Sequence, residues 1–149
     1  LAILEKSQSS GTKLLLPTDT LCADAFAPDA NTQVVATKAI PTDWMGLDIG
    51  PETTKLFVEA VLTSKTVLWN GPMGVFEKNS FSKGTKLIAN NLIKLVDNNV
   101  NVIVGGGDTA SALKYFNLIE KFTHVSTGGG ASLALMTGKN LKAIEKLEV

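Results

Sequence analysis

Thr66-Val67-Leu68-Trp69 is a run of β-branched and apolar residues that stops abruptly at Asn70-Gly-Pro-Met-Gly-Val-Phe-Glu77. Four such residues in a row read as a strand buried on both faces, and the Gly-Pro that follows reads as a turn. The same grammar returns twice. Val100 to Val104 runs into Gly105-Gly-Gly-Asp-Thr109, and His124-Val125-Ser126 runs into Gly128-Gly-Gly-Ala-Ser132. Strand, glycine turn and helix repeated three times predicts an α/β fold with an open, mainly parallel sheet flanked by helices. In such a sheet the turns gather at the carboxyl ends of the strands, the edge where open α/β folds bind ligands.

The predicted helices lie between these strands. Pro51 suits a first helical position, and Leu56, Phe57, Ala60 and Val61 recur at helical spacing to about Lys65. A second helix, Ser82 to Asp97, carries Leu87, Ile88, Leu92, Leu95 and Val96 on one face. Asp108 is expected to cap a third, which bears Ala112, Leu113, Phe116 and Ile119. A last helix with Leu141, Ile144 and Leu147 is too short to stand alone. Before Trp44 the texture differs: Lys13 to Leu16, Leu21 to Phe26 and Gln33 to Thr37 read as short strands of a β-rich edge near the N-terminus.

A chain of 149 residues with 44% apolar residues suits one domain. The 14 basic and 14 acidic residues balance and form no runs, so nucleic acid and membrane are not expected partners. All the basic residues are lysine. Without arginine's planar fork, an anion site must be built from lysine and backbone N–H groups, and a second phosphorylated substrate is expected to bind elsewhere. Cys22 has no partner for an internal disulfide and reads as a small buried hydrophobe. The chain opens on Leu1 and carries no readable leader, so it reads as a fragment.

Glycine lets backbone N–H groups approach an oxyanion, and a following helix adds free donors and a partial positive charge. Two Gly-Gly-Gly turns on one rim therefore make a phosphate cradle. Asp108 sharpens this reading: a carboxylate beside phosphates repels them unless a cation such as Mg²⁺ lies between, and Thr109 can add a hydroxyl there. Against it stands the structural alternative, in which the glycines only turn the chain and Asp-Thr only starts a helix. Neither G-x-x-x-x-G-K-[ST] nor G-x-G-x-x-G is present. Trp44 and Trp69 read as packing anchors, and His124 as structural.

Together with Trp44-Met-Gly-Leu-Asp-Ile-Gly-Pro51, these motifs resemble phosphoglycerate kinase, in order and at family spacing from about Leu14 to Leu147. The resemblance implies a two-domain, hinge-bending, cytoplasmic glycolytic enzyme that is monomeric at full length. It would transfer a phosphoryl group between 1,3-bisphosphoglycerate and ADP, giving 3-phosphoglycerate and ATP, with Mg²⁺. Residues 1–149 would be part of the C-terminal nucleotide-binding domain. By the same resemblance, Gly46 and Leu47 lie beside the adenine, Pro72 and Val75 along the pocket, Glu77 on the ribose and Asn70 near the phosphates. Gly106, Gly107, Asp108 and Thr109 receive the phosphates, with Asp108 on the metal. Gly128, Gly129 and Gly130 face the transferring phosphoryl group, and Ser126 and Thr127 form a hinge.

The family's sugar-acid domain and the lysines that touch the nucleotide phosphates would precede Leu1, so the 149 residues alone are expected to be inactive. Pro17 to Phe26 departs from the family, with Thr20, Leu21 and Cys22 in place of the more usual residues. Two rivals stay open: a dinucleotide-dependent oxidoreductase half, for which no acidic residue ends the second strand of a fingerprint unit, and a nucleotide-binding or scaffolding module in its own right.

Overall fold

The computed structural model describes residues 2–147. A short helix, α1 (Ala2–Ser10), leads into three strands, β1 (Asp19–Ala23), β2 (Thr32–Ala36) and β3 (Met45–Ile49). Five helices and three strands follow: α2 (Pro51–Leu62), β4 (Thr66–Asn70), α3 (Lys83–Asp97), β5 (Asn101–Gly105), α4 (Gly107–Tyr115), β6 (His124–Ser126), α5 (Gly129–Met136) and α6 (Lys142–Glu145). Strands β4, β5 and β6 form a parallel sheet in that order, with helices in each crossover. The β-rich edge is a sheet of its own, β2-β1-β3, antiparallel throughout.

The core lies where α3 meets the parallel sheet. Ile88, Ala89, Leu92 and Leu95 of α3 pack with Trp69, Val102, Val104, Leu113 and Phe122. Spacings of three and four put those α3 residues on one stripe. Leu87, expected on the same face, is instead more than a third exposed, because it lies one position off the stripe. Trp69 is buried as expected and meets Phe122 at a ring-centroid distance of 6.5 Å. Cys22 is fully buried too, and burial pushes its thiol pKa up.

A carboxylate ties the antiparallel sheet to helix α2. Gly50 holds the N-cap position of helix α2 and has no side chain to cap the free N–H groups of its first turn. Asp19 of β1 caps them from outside: Oδ1 accepts from the Thr53 N–H at 2.7 Å and Oδ2 from the Glu52 N–H at 3.1 Å. The Thr53 hydroxyl lies 2.6 Å from Oδ1. Burial pushes this carboxyl upward, but the bonds from Thr53 and Glu52 outweigh it and hold it below the ordinary value.

Several boundaries differ from the sequence expectations. Lys13 to Leu16 is not a strand; Leu14 and Leu16 are exposed. The strand expected at Leu21 to Phe26 begins two residues earlier and ends at Ala23, since the chain bends away from Asp24. Strand β3 was unforeseen, because Gly46 and Asp48 interrupt its apolar pattern. Asp108 does not cap α4: Gly106 holds the N-cap position at φ 97°, and Asp108 lies in the first turn.

Candidate functional site

The register of the parallel sheet aligns its three glycine turns. Asn70 pairs with Gly105, and Gly105 with Ser126, so β4, β5 and β6 all end at one rim. The turns then pack on one another. The Gly106 N–H donates to the Ser126 carbonyl at 2.9 Å. A β-carbon on Gly129 would stand 2.7 Å from the Gly106 Cα and 3.3 Å from the Asn70 side-chain nitrogen. Asn70 is thus in reach of both Gly-Gly-Gly turns. Gly106 needs its glycine for another reason, since its φ of 97° is strained for any L side chain.

Two helices start at this rim. The first bond of α4 runs from the Ala110 N–H to the Gly106 carbonyl, which leaves the N–H groups of Gly107, Asp108 and Thr109 without an intrahelical acceptor. In α5 the corresponding bond runs from Ser132 to Gly128, and Gly129 donates back to Thr127. Gly130 and Ala131 are left as the α5 donors; Gly129 has spent its own. Ala131 was not among the expected site residues, because a backbone donor has no signature in residue type.

Thr109 behaves differently from its expectation. Its hydroxyl is fully buried, accepts from the Gly71 N–H at 2.7 Å and donates to the Gly105 carbonyl at 2.9 Å. That hydroxyl ties the first turn to the second, and Thr109 as a whole is fully buried, so the exposed donors of this helix start are those of Gly107 and Asp108.

The first turn separates two clefts. One, of about 370 Å³, is lined by Gly46, Leu47, Pro72 and Val75 together with Thr20 and Asp48. The other, of about 620 Å³, is lined by Pro72, Val75, Glu77 and Asp108, with Phe26 and Lys78. The expected adenine-side and ribose-side residues therefore lie on either side of one turn, with Pro72 and Val75 lining both clefts. The Val75 N–H donates to the Leu47 carbonyl at 2.9 Å, which fixes the turn against β3. Phe26 and Lys78 were missed: the Lys78 Nζ sits 4.5 Å from the Phe26 ring centroid, a cation–π contact that brings the β1–β2 loop to the second cleft.

Asp48 is the buried charge of this region. Its Oδ2 accepts from the Gly84 N–H at 2.7 Å and its Oδ1 from the Ile49 N–H at 2.8 Å. Burial pushes its carboxyl above the ordinary value, and the two N–H bonds offset this only in part. Asp108, by contrast, is exposed. His124 opens β6 at the end away from the rim, consistent with a structural reading.

The residues present fit a magnesium ion that arrives with phosphates. Among the described residues no three His, Cys, Asp or Glu side chains converge as a metal cage. A single exposed carboxylate beside free N–H groups is the arrangement for Mg²⁺ held mainly by phosphate oxygens and water.

The family model described as phosphoglycerate kinase matches residues 1–139. "Phosphoglycerate kinase 3, cytosolic" of Arabidopsis thaliana is 50% identical over 147 residues, which cover 99% of this chain and 37% of that protein. The phosphoglycerate kinase of Thermosynechococcus vestitus is 54% identical over 143 residues, 96% of this chain and 36% of its own. The solved phosphoglycerate kinase of Coxiella burnetii superposes with a TM-score of 0.85 at 37% identity, covering 97% of this chain and 36% of that one. The chain thus spans little more than a third of the length of the proteins it matches.

Proposed function

We propose, for a chain that belongs to the phosphoglycerate kinase family, that it supplies the Mg-nucleotide half of an enzyme transferring a phosphoryl group between 1,3-bisphosphoglycerate and ADP. In this reading residues 1–149 are part of a C-terminal nucleotide-binding domain. The remainder of that domain and a sugar-acid domain precede this stretch in the full-length protein. A cytoplasmic, glycolytic role follows the family and the printed name of the cytosolic Arabidopsis relative. Among the described residues no helix is long and apolar enough to cross a membrane.

The observation that carries the reading is the shared rim, where Gly129 packs on Gly106 and two helix starts present free N–H groups. Adenine would lie in the cleft of Gly46, Leu47, Pro72 and Val75, with the ribose hydroxyls on Glu77. The phosphates would run past Asn70 to the N–H groups of Gly107 and Asp108, with the buried Thr109 bracing the turn behind them. Asp108 would hold Mg²⁺, which supplies charge neutralisation across the phosphate oxygens when bound.

In the transfer, an oxygen of the ADP β-phosphate bonds to the acyl phosphorus. The bond from that phosphorus to the C1 oxygen breaks, and 3-phosphoglycerate leaves as a carboxylate. No proton need move, which agrees with the absence of a histidine at the rim. The chain's part is positioning and electrostatics: the N–H groups of Gly130 and Ala131 at the start of α5 would stabilise charge on the moving group. The 149 residues carry no arginine and no sugar-acid clamp, and by themselves they are inactive in this reading.

Titration calorimetry of the full-length protein with Mg-ADP and with NAD tests the assignment. Micromolar to submillimolar binding of Mg-ADP without NAD binding is expected; preference for NAD would favour the oxidoreductase reading. Binding of neither would favour a scaffold.

A further inference from the structure

Pro72, Gly74 and Val75 of the strip Gly71 to Val75 line both clefts, yet the strip belongs to no helix or strand. Its shape has to be imposed by its surroundings. At one end the Gly71 N–H is held by the Thr109 hydroxyl at 2.7 Å, while the Gly71 carbonyl accepts from Trp69 Nε1 at 2.8 Å. In the middle, the N–H groups of Met73 and Gly74 both point to the Thr85 hydroxyl, at 3.0 and 3.2 Å. At the far end Val75 donates to Leu47. Pro72 has no N–H, so every donor of the strip is already engaged. The strip can offer a ligand apolar surface and carbonyls but no N–H for a phosphate. It suits the flat face of a nucleoside.

We propose that Thr85 of α3 and Thr109 of α4 are positioning residues for the nucleoside, acting through the strip that their buried hydroxyls suspend. The inference rests on the nucleotide reading above and adds the means by which this wall is held. Both side chains are fully buried, so neither hydroxyl is placed to touch a ligand. Valine keeps threonine's shape but cannot accept a hydrogen bond. Thr109→Val leaves the Gly71 N–H unpaired, and Thr85→Val leaves those of Met73 and Gly74 unpaired.

The test is calorimetry of the full-length protein with adenosine, with Mg-ADP and with 3-phosphoglycerate. Each Val variant is expected to weaken adenosine and Mg-ADP alike by about tenfold, with Thr85→Ser and Thr109→Ser recovering most of the loss. Affinity for 3-phosphoglycerate is expected to stay at the wild-type value. A hydroxyl that served the phosphates directly would weaken Mg-ADP and spare adenosine, and that result overturns the proposal. So does failure of either Ser variant to recover. Hydrogen exchange of the wild type gives a check that needs no variant: the amides of Gly71, Met73 and Gly74 should be protected, and free exchange at all three overturns the proposal. If the wild type binds neither adenosine nor Mg-ADP, the nucleotide reading itself falls.

Discussion

Gly129 packs directly on Gly106, so that a β-carbon at 129 would come within 2.7 Å of the Gly106 Cα. The neighbour is backbone and cannot swing aside. Gly129→Ala should therefore destabilise the fold by about 1–3 kcal/mol, the usual cost of forcing extra volume into a packed contact. Gly130→Ala meets nothing within 4 Å and should leave the unfolding midpoint nearly unchanged. Denaturant unfolding of the two variants compares them; equal midpoints would mean that the two turns do not pack as described.

Asp19 caps α2 from a neighbouring strand, and removing it as Asp19→Ala should cost about 1–2 kcal/mol at neutral pH. Its folded pKa lies below the ordinary aspartate value of 3.8. The stability it contributes is present above that value and is lost as the pH falls through the folded pKa. The gap between wild type and variant should therefore close under acid conditions. A pH-independent gap would argue that the Asp19 charge plays no part.

Asp48 should show the opposite slope. Burial raises its folded pKa above 3.8, so ionising it costs more in the fold than in the unfolded chain. Stability then falls as the pH rises from 3.8 through the folded value. Asp48→Asn removes that titration, and the stability of wild type relative to this variant should decline across the same window. A relative stability that rises with pH would contradict the burial of this carboxylate.

Asp108 is exposed, and its substitution should spare the fold. Asp108→Asn in the full-length protein is expected to lower turnover by a factor on the order of 100 and to raise the Mg²⁺ concentration needed for half-maximal rate. Unchanged magnesium dependence would move the metal to another group.

Much of the rim was legible in the sequence because its strands are apolar runs that end in glycine turns, although they are not buried on both faces as their composition suggested: Ile103 of β5 is more than a third exposed, while Val102 and Val104 are buried. The runs Thr66 to Trp69, Val100 to Val104 and His124 to Ser126 each fall within one residue of β4, β5 and β6. The antiparallel sheet was harder to read. Strand β3 hides its period because Asp48 turns a carboxylate inward, where the Gly84 N–H, 36 residues later, satisfies it. The apolar run at Lys13 to Leu16 looks like a strand locally but leaves two leucines exposed. Within the site, residue types pointed to the turns that the sheet register aligns, but not to the direction of each group. Thr109 carries a hydroxyl suited to a phosphate, yet Gly71, 38 residues earlier, claims it. Thr85 and Ala131 had no signal at all, since one acts through a buried hydroxyl and the other through backbone.

The most direct test of the central claim is the steady-state rate at which the full-length protein consumes ATP in the presence of 3-phosphoglycerate and Mg²⁺. The expected result is turnover that requires all three and stops when Mg²⁺ is chelated. A protein that folds and binds Mg-ADP but shows no ATP consumption dependent on 3-phosphoglycerate would contradict it.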